Sequence, residues 1–406
     1  MKSAKRCCGR NVGIAGKQTG NGYNPAGEVE GIIVQAGKRR IGMRDEGADA
    51  QHIGIKFFHN QQIIGQYFRC LPGQAYHVFI ASQGKEKFRA RQIMKWLHQS
   101  GVTSFDAMTT LSGDFRKKLA GAARIIRPQI VKIQKSQDGT QKALLALEDG
   151  LYIESVLIPG KSHWTLCIST QAGCAMNCAF CLTARQGFKR NLTPGEIVGQ
   201  FVTLKYETPE GALVNNIVMM GMGEPLANYD NTVKAIQILT SDFGAGMSSR
   251  RITVSTCGLA PQIRQLGKDI CINLAVSLNA HDDETRNRLM PVNKKYPLAT
   301  LLEACKKYPM PGRRMLTYEY ILIDGVNSSR ADAEKLARLL ADQRCKINLI
   351  VFNEYPGSPF KSPSPADVSA FQQILLDRHY TAMLRKSKGS DILAACGQLS
   401  GAYTTG

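Results

Sequence analysis

The sequence predicts an α/β protein, a partial (βα)6 barrel with a small helical accessory domain on its N-terminal side, and three observations carry that prediction. From residue 164 onward six strand-like runs, WTLCIST, VNNIVMMGM, RITVSTCG, INLAVSLNA, LTYEYILIDG and KINLIVFNEY, are separated by helical stretches such as TPGEIVGQFVTLKYE and SRADAEKLARLLADQR. Between residues 84 and 125 the apolar period is that of helices. A chain of 406 residues with 43% hydrophobic content can bury one large core and an accessory one.

Residues 1–83 form an atypical extension, glycine-rich in GKQTGNGYNPAGEVEG and GKRRIGMRDEGADAQHIG, with only short strand-like pieces in GQYFRC and AYHVFIA. Partial disorder is expected there, and no function is assigned. Residues 84–125 read as a basic helical module that binds RNA. KFRARQIMKWLHQSG places Phe88, Ile93, Trp96 and Leu97 on one face, and Ser104 and Ser112 are candidate caps. Residues 126–163 read as linking strands (IVKIQKS, KALLALEDG, LYIESVLIP), and 164–406 as the barrel with a C-terminal segment containing AACGQL. Six βα repeats imply parallel strands joined by right-handed crossovers and are too few to close an eight-fold barrel. The reactive site of such folds lies at the C-terminal ends of the strands, where the cysteine-rich loop GCAMNCAFCLTARQGF follows the first repeat.

Lys and Arg outnumber Asp and Glu by 52 to 32, a net charge of +20, which favours a polyanionic partner such as RNA or DNA; a well-solvated basic surface is the alternative. Twelve irregularly spaced cysteines in a long chain without a signal-like N-terminus do not form a disulfide framework, so the protein is expected in the cytoplasm with reduced thiols. No apolar run approaches the roughly 20 residues that cross a bilayer. A monomer is expected.

Cys174, Cys178 and Cys181 fall within eight positions with no fourth cysteine beside them. Soft thiolates select zinc, copper(I) or iron–sulfur clusters. Zinc needs a fourth ligand, which neither the spacing nor a nearby His-x-x-x-His offers, whereas three thiolates on a cubane leave one iron without a protein ligand. The motif is short, and spacing alone leaves cluster, zinc and chance open.

Cys-x3-Cys-x2-Cys after a first βα strand, with Phe180 before the last cysteine, resembles the signature of the radical S-adenosylmethionine superfamily. The runs LCISTQAGCAMNCAFCLTARQGFKRNLTPGEIVGQ, GMGEPLANYDN, RRITVSTCG, AVSLNA, NLIVFNEYPGS and DILAACGQLSG resemble, in order, the RlmN-type adenine carbon-2 methyltransferases of 23S rRNA and tRNA, and FRARQIMKW resembles their N-terminal helical module. The resemblance covers about residues 85–403 and implies a radical S-adenosylmethionine barrel.

It also implies a 4Fe-4S cluster on Cys174, Cys178 and Cys181 and two S-adenosylmethionine molecules per turnover. Cys396 matches the methyl-carrying cysteine, Cys167 the resolving cysteine and Glu154 the proton acceptor, with a Cys167–Cys396 disulfide reduced each cycle by an external thiol. An electron donor of the flavodoxin kind is implied as a partner. Gly223, Glu224, Ser255, Ser277, Leu278, Asn279 and Asn353 match the cosubstrate pocket. Asn279 stands where the family usually has histidine, with His281 two places on, and Lys388 where it usually has arginine. Taken alone, Cys167 and Cys396 read as core packing, Glu154 as an exposed strand glutamate, and the polar pocket residues as strand-end caps. Cys257, Cys271, Cys305 and Cys345 are read as packing. Two rival readings keep much of this pattern: methylation at adenine carbon 8, and a non-catalytic RNA-binding protein with a structural metal.

Overall fold

In the computed structural model, which describes residues 79–310 and 312–401 and the backbone of Ile55–Phe57, the apolar runs pair into one ten-stranded sheet. Its strands lie side by side in chain order: β1 (Gln129–Lys135), β2 (Gln141–Ala146), β3 (Tyr152–Pro159), β4 (Trp164–Cys167), β5 (Val214–Met219), β6 (Ile252–Thr256), β7 (Asn273–Ser277), β8 (Leu316–Leu322), β9 (Cys345–Val351) and β10 (Thr381–Arg385). Short connections make β1 to β4 antiparallel; from β4 onward every neighbour is parallel. The strands of 126–163 are therefore hydrogen-bonded into the barrel sheet itself.

Each parallel step needs a crossover, supplied by α3 (Pro194–Glu207), α4 (Tyr229–Thr240), α5 (Ala260–Asp269), α6 (Leu298–Lys306), α7 (Arg330–Leu339) and α8 (Pro365–Asp377). Local chemistry starts them: Thr193 and Glu196 form a capping box on α3, Ser329 and Asp332 another on α7, and Ser364 caps α8. Six βα units are present as expected, followed by a seventh parallel strand, β10, that the sequence reading did not count. TAMLR lies on the sheet edge and is largely exposed, so it lacks the continuous apolar run that marks a central strand. β1 and β10 remain unjoined, and the barrel is open.

The period of two along β8 and β9 divides two cores. Tyr318, Tyr320, Ile347 and Leu349 face the main core with α7 and α8 residues such as Leu336 and Phe371. Ile321, Ile323 and Ile350 face a smaller core with Phe180, Met290 and Phe352, which seats the cysteine loop.

The helical module has its own core, in which α1 (Phe88–Gln99) and α2 (Gly113–Ala122) contribute Ile93, Met94, Leu97, Phe115 and Leu119. Three expectations change. Phe88 is exposed, its ring under Arg89 with the guanidinium carbon 4.6 Å from the centroid, because the buried stripe runs through Ala90, Ile93, Met94 and Leu97. Phe79 and Ile80, assigned to a strand-like piece, are helical and belong to this core, so the module begins before residue 84. Ser104 caps the short helix Phe105–Ala107 by accepting from Asp106 N at 3.1 Å, while Ser112 precedes α2 without a side-chain cap bond.

His98 of α1 is buried, and neither ring nitrogen has a partner. Burial lowers its pKa from 6.5 to about 4. The unfolded chain takes up a proton near 6.5 and the folded one only near 4, so stability is full at neutral pH and falls as pH drops through that window. The loss should total about 3 kcal/mol. Urea melts at pH 7 and pH 4 are expected to show this loss in the native protein and a much smaller one in His98→Leu.

Candidate active site

Past β4 the chain forms a two-stranded ribbon, Gln171–Gly173 against Phe188–Asn191, and the loop between them carries Cys174, Cys178 and Cys181. Gly173 has φ +76, and a Cβ there would lie 1.9 Å from Gly187 O, so the loop closes only on glycine. The three thiols line one cleft of about 900 Å³ at the C-terminal ends of the parallel strands. Burial pushes Cys174 up to about 12 and raises Cys178 and Cys181, each thiolate further opposed by its neighbours.

Among the described residues no three His, Cys, Asp or Glu side chains stand together as one metal ion requires. Three soft thiol donors lining one cleft fit an iron–sulfur group that leaves one iron without a protein ligand better than a structural zinc, which takes four protein ligands. Its binding would replace protons that burial otherwise holds on the sulfurs.

Gly223, Glu224, Ser255, Ser277 and Asn279 line the same cleft. Gly223 has φ +96, and a Cβ there would meet Gln171 Cβ at 2.5 Å. Glu224 is buried, with Oε1 accepting from Leu226 N at 2.9 Å and Oε2 from Cys257 N at 2.7 Å. Burial raises its pKa, and those backbone donors partly restore the charged form. The Cys257 and Thr256 side chains also hydrogen-bond to this carboxylate. Asn279 sits at φ +59, a conformation that asparagine tolerates better than most residues. Its Oδ1 accepts from Ile321 N at 2.9 Å and its Nδ2 donates to Met290 Sδ at 3.3 Å.

Leu278 stands apart from the cleft, fully buried in the main core, with its N–H given to Glu319 O at 2.9 Å. Cys257, read as packing, does line the cleft, next to Glu224. Cys305 and Cys345 are buried in the main core, and Cys271 accepts from Arg314 Nη2 at 3.3 Å. Cys7, Cys8 and Cys70 lie outside the described residues.

A second, narrow cavity is lined by Cys167, Asn353, Cys396 and the basic residues Arg385, Lys386 and Lys388. Cys396 lines both cavities. Lys388, in the arginine position, keeps its charge near Asp138, Nζ to Oδ2 at 3.9 Å. The segment around Cys396 is anchored through its backbone: Cys396 O accepts from Asn353 Nδ2 at 3.2 Å, Gly397 O from Leu182 N at 2.7 Å, and Leu399 O from Thr183 Oγ1 at 2.6 Å. Burial pushes the Cys167 thiol up to about 12, and the charge of Cys396 adds to that.

Glu154 lines neither cavity and is not exposed; only 4% of it is accessible. Its Oε1 pairs with Lys142 Nζ at 3.1 Å, and its Oε2 accepts from Ser400 N at 2.7 Å. Lys142 Nζ also donates to Leu393 O at 3.3 Å. This buried pair thus holds the chain on both sides of Cys396. Lys142→Met would leave the Glu154 carboxylate buried without its cation, at a cost of about 3–5 kcal/mol. Hydrogen exchange of a peptide spanning residues 393–401 should speed up in that variant, and Lys142→Arg should keep most of the protection.

Sequence reasoning missed Lys142, Glu319 and Arg385. Lys142 and Glu319 sit inside strand patterns, where a charged residue normally faces water; a charge in the fully buried run LTYEYIL was the one available signal.

An open parallel barrel with three thiols and a buried glutamate at its mouth is the framework of a radical S-adenosylmethionine enzyme, and residues 168–340 match the Radical SAM superfamily. Residues 71–125 match the ribosomal RNA large subunit methyltransferase N-terminal domain. The chain is 65% identical over 323 residues, 80% of this chain and 93% of the relative, to a protein of Syntrophus aciditrophicus named dual-specificity RNA methyltransferase RlmN. A relative of the same name from Geobacter sulfurreducens is 53% identical over 80% of this chain and 89% of its own. A solved radical SAM methyltransferase from Sphaerobacter thermophilus superposes with a TM-score of 0.78 at 42% identity, covering 82% of this chain and 98% of that one. The chain belongs to the RlmN family of radical S-adenosylmethionine RNA methyltransferases. That membership replaces the non-catalytic reading. Among the described residues no helix is long and apolar enough to cross a membrane.

Proposed function

We propose that this protein methylates carbon 2 of a specific adenosine in 23S rRNA and of one in tRNA, with Cys396 as methyl carrier and Cys167 as resolving thiol. The observation that carries the reading is the position of Cys396 between a cleft lined by three thiols and a cavity lined by Cys167 and basic residues. A residue that takes a methyl group on one side and delivers it on the other belongs at such a junction. The relatives' printed name, with its dual specificity, supports two RNA substrates.

In this reading Cys174, Cys178 and Cys181 hold a 4Fe-4S cluster, and Gly223, Glu224, Ser255, Ser277 and Asn279 serve S-adenosylmethionine, with Leu278 acting through the strand end it fixes and Asn353, which lines the second cavity instead of the cleft, through its bond to Cys396 O. Carbon 2 of adenine carries an unactivated C–H bond, and the cluster with its bound cosubstrate supplies the one-electron chemistry that a polar transfer cannot. Two cosubstrate molecules are used per turnover, one of them to load Cys396 with its methyl group.

Glu224, which lines the cleft, orients the cosubstrate's ammonium in place of one of its present side-chain donors, Cys257 or Thr256. Lys386 and Lys388 meet the RNA backbone. Glu154 takes the ring proton, which requires one of its present partners, Ser400 N or Lys142 Nζ, to let go. Cys167 attacks Cys396 sulfur to release the product, leaving a disulfide for an external thiol to reduce. A flavodoxin-type protein supplies the electron, and the enzyme works as a cytoplasmic monomer.

Anaerobic reconstitution with iron, sulfide, S-adenosylmethionine and transcripts of both RNAs, followed by nucleoside mass spectrometry, tests this. 2-Methyladenosine in both RNAs is the expected product. 8-Methyladenosine would move the assignment to carbon 8, and unmodified tRNA would restrict it to rRNA.

A further inference from the structure

Arg385 ends β10 where the two cavities meet, and it lines both. Its one described side-chain hydrogen bond runs from Nη1 to Met220 Sδ at 3.7 Å, a weak acceptor. Among the described residues no carboxylate pairs with it. Glu319 of β8 lines the cleft and influences it electrostatically, but Glu319 Oε1 is occupied by Asn348 Nδ2 at 2.9 Å and Oε2 has no hydrogen-bond partner, Arg385 included. The charge acting most strongly on Arg385 is that of Cys396, followed by Glu319 and Cys167. A partly buried guanidinium with no carboxylate paired to it is an anion site, and the charges that act on it are those of two sulfurs and of Glu319, whose carboxyl group burial shifts toward the neutral form.

We propose that Arg385 is the cation that takes up the negative charge of sulfur at Cys396 and then at Cys167, which makes it a positioning residue for both sulfur-centred steps; this rests on the two-cysteine reading above. In the first step Cys396 loses its proton to water, and its sulfur pair forms the S–CH3 bond while the sulfonium C–S bond breaks with its electrons going to the departing thioether. In the second, Cys167 loses its proton to water and its sulfur pair forms the S–S bond to Cys396. The bond from Cys396 sulfur to the RNA methylene breaks, and its electrons stay with that carbon, which takes up a proton to become the methyl group. Each step begins with a thiolate, and the same guanidinium faces both.

The test is alkylation of the cluster-loaded full chain, without RNA or methyl donor, by anionic iodoacetate and by neutral iodoacetamide, with Cys396 followed by peptide mass spectrometry. A fixed cation beside the sulfur favours the anionic reagent, so the rate ratio at Cys396 should exceed that of free cysteine by about fivefold. Arg385→Gln should bring the ratio to the free-cysteine value, and Arg385→Lys should keep it. Lys386→Gln with Lys388→Gln should also keep it, since Lys386 is exposed and the charge of Lys388 lies near Asp138. An unchanged ratio in Arg385→Gln overturns the proposal. So does loss of the ratio in the double lysine variant, a result that stands even if Arg385→Gln fails to fold. Because the labelling needs no RNA product, it can fail while 2-methyladenosine still forms, and the reverse also holds.

Discussion

Cys396→Ala is expected to leave the iron content and fold of the protein intact while reducing RNA methylation by at least about 10⁴-fold, to background. The fold should survive because the segment is held by its backbone, through Cys396 O, Gly397 O and Leu399 O, and by the Glu154 bond to Ser400 N, none of which uses the cysteine sulfur. The sulfur is half-buried, so its removal should cost no more than about 1 kcal/mol. Activity should vanish because no other described cysteine lines both cavities. Labelled-methyl transfer to RNA, measured beside iron quantification and a thermal melt, checks both halves. Product from the alanine variant at more than a few percent of the normal rate would falsify the carrier role.

Cys167→Ala should fail at a later point, by accumulating a covalent protein–RNA adduct. The side chain lies at the end of β4, 6% exposed, against the cavity that Cys396 also lines, and the two cysteines sense each other electrostatically. Without it the carrier can still add to the ring, but nothing attacks its sulfur to release the RNA. Denaturing gels of a single-turnover reaction are expected to show a shifted band that ribonuclease removes, near stoichiometric in Cys167→Ala and faint in the native protein. The double variant Cys167→Ala/Cys396→Ala should show none. An absent band in Cys167→Ala, with the RNA left unmodified, counts against a resolving role.

The legibility of the candidate site followed the kind of signal each residue carried. The three cysteines, Gly223 and Glu224 sit in loops after strands, where their types are unusual enough to stand out, and the structure brings them into one cleft. Leu278 looked alike in sequence but faces the core, because its neighbour Ser277 takes the cleft side. Phe88 was misjudged for a related reason. Helical periodicity fixes which residues share a stripe, but only the packing of the module decides which stripe is buried. The edge strand β10 carried too few apolar residues to announce itself, and with it Arg385 went unnoticed.

What the sequence determined by itself was the alternation of strands and helices, the three-thiol loop after the first repeat and the chemistry those donors favour, since each is written in residues close together along the chain. Only the tertiary structure decided that Cys396 stands at the meeting of two cavities and that Lys142 and Glu154 brace it. The same holds for Arg385, which lines both cavities and has no carboxylate paired with it among the described residues. Cys167 and Arg385 are separated by more than two hundred positions and meet because seven parallel strands curve their C-terminal ends toward one mouth. Charge, burial and hydrogen bonding between such distant residues follow from that curvature, and no local pattern encodes it.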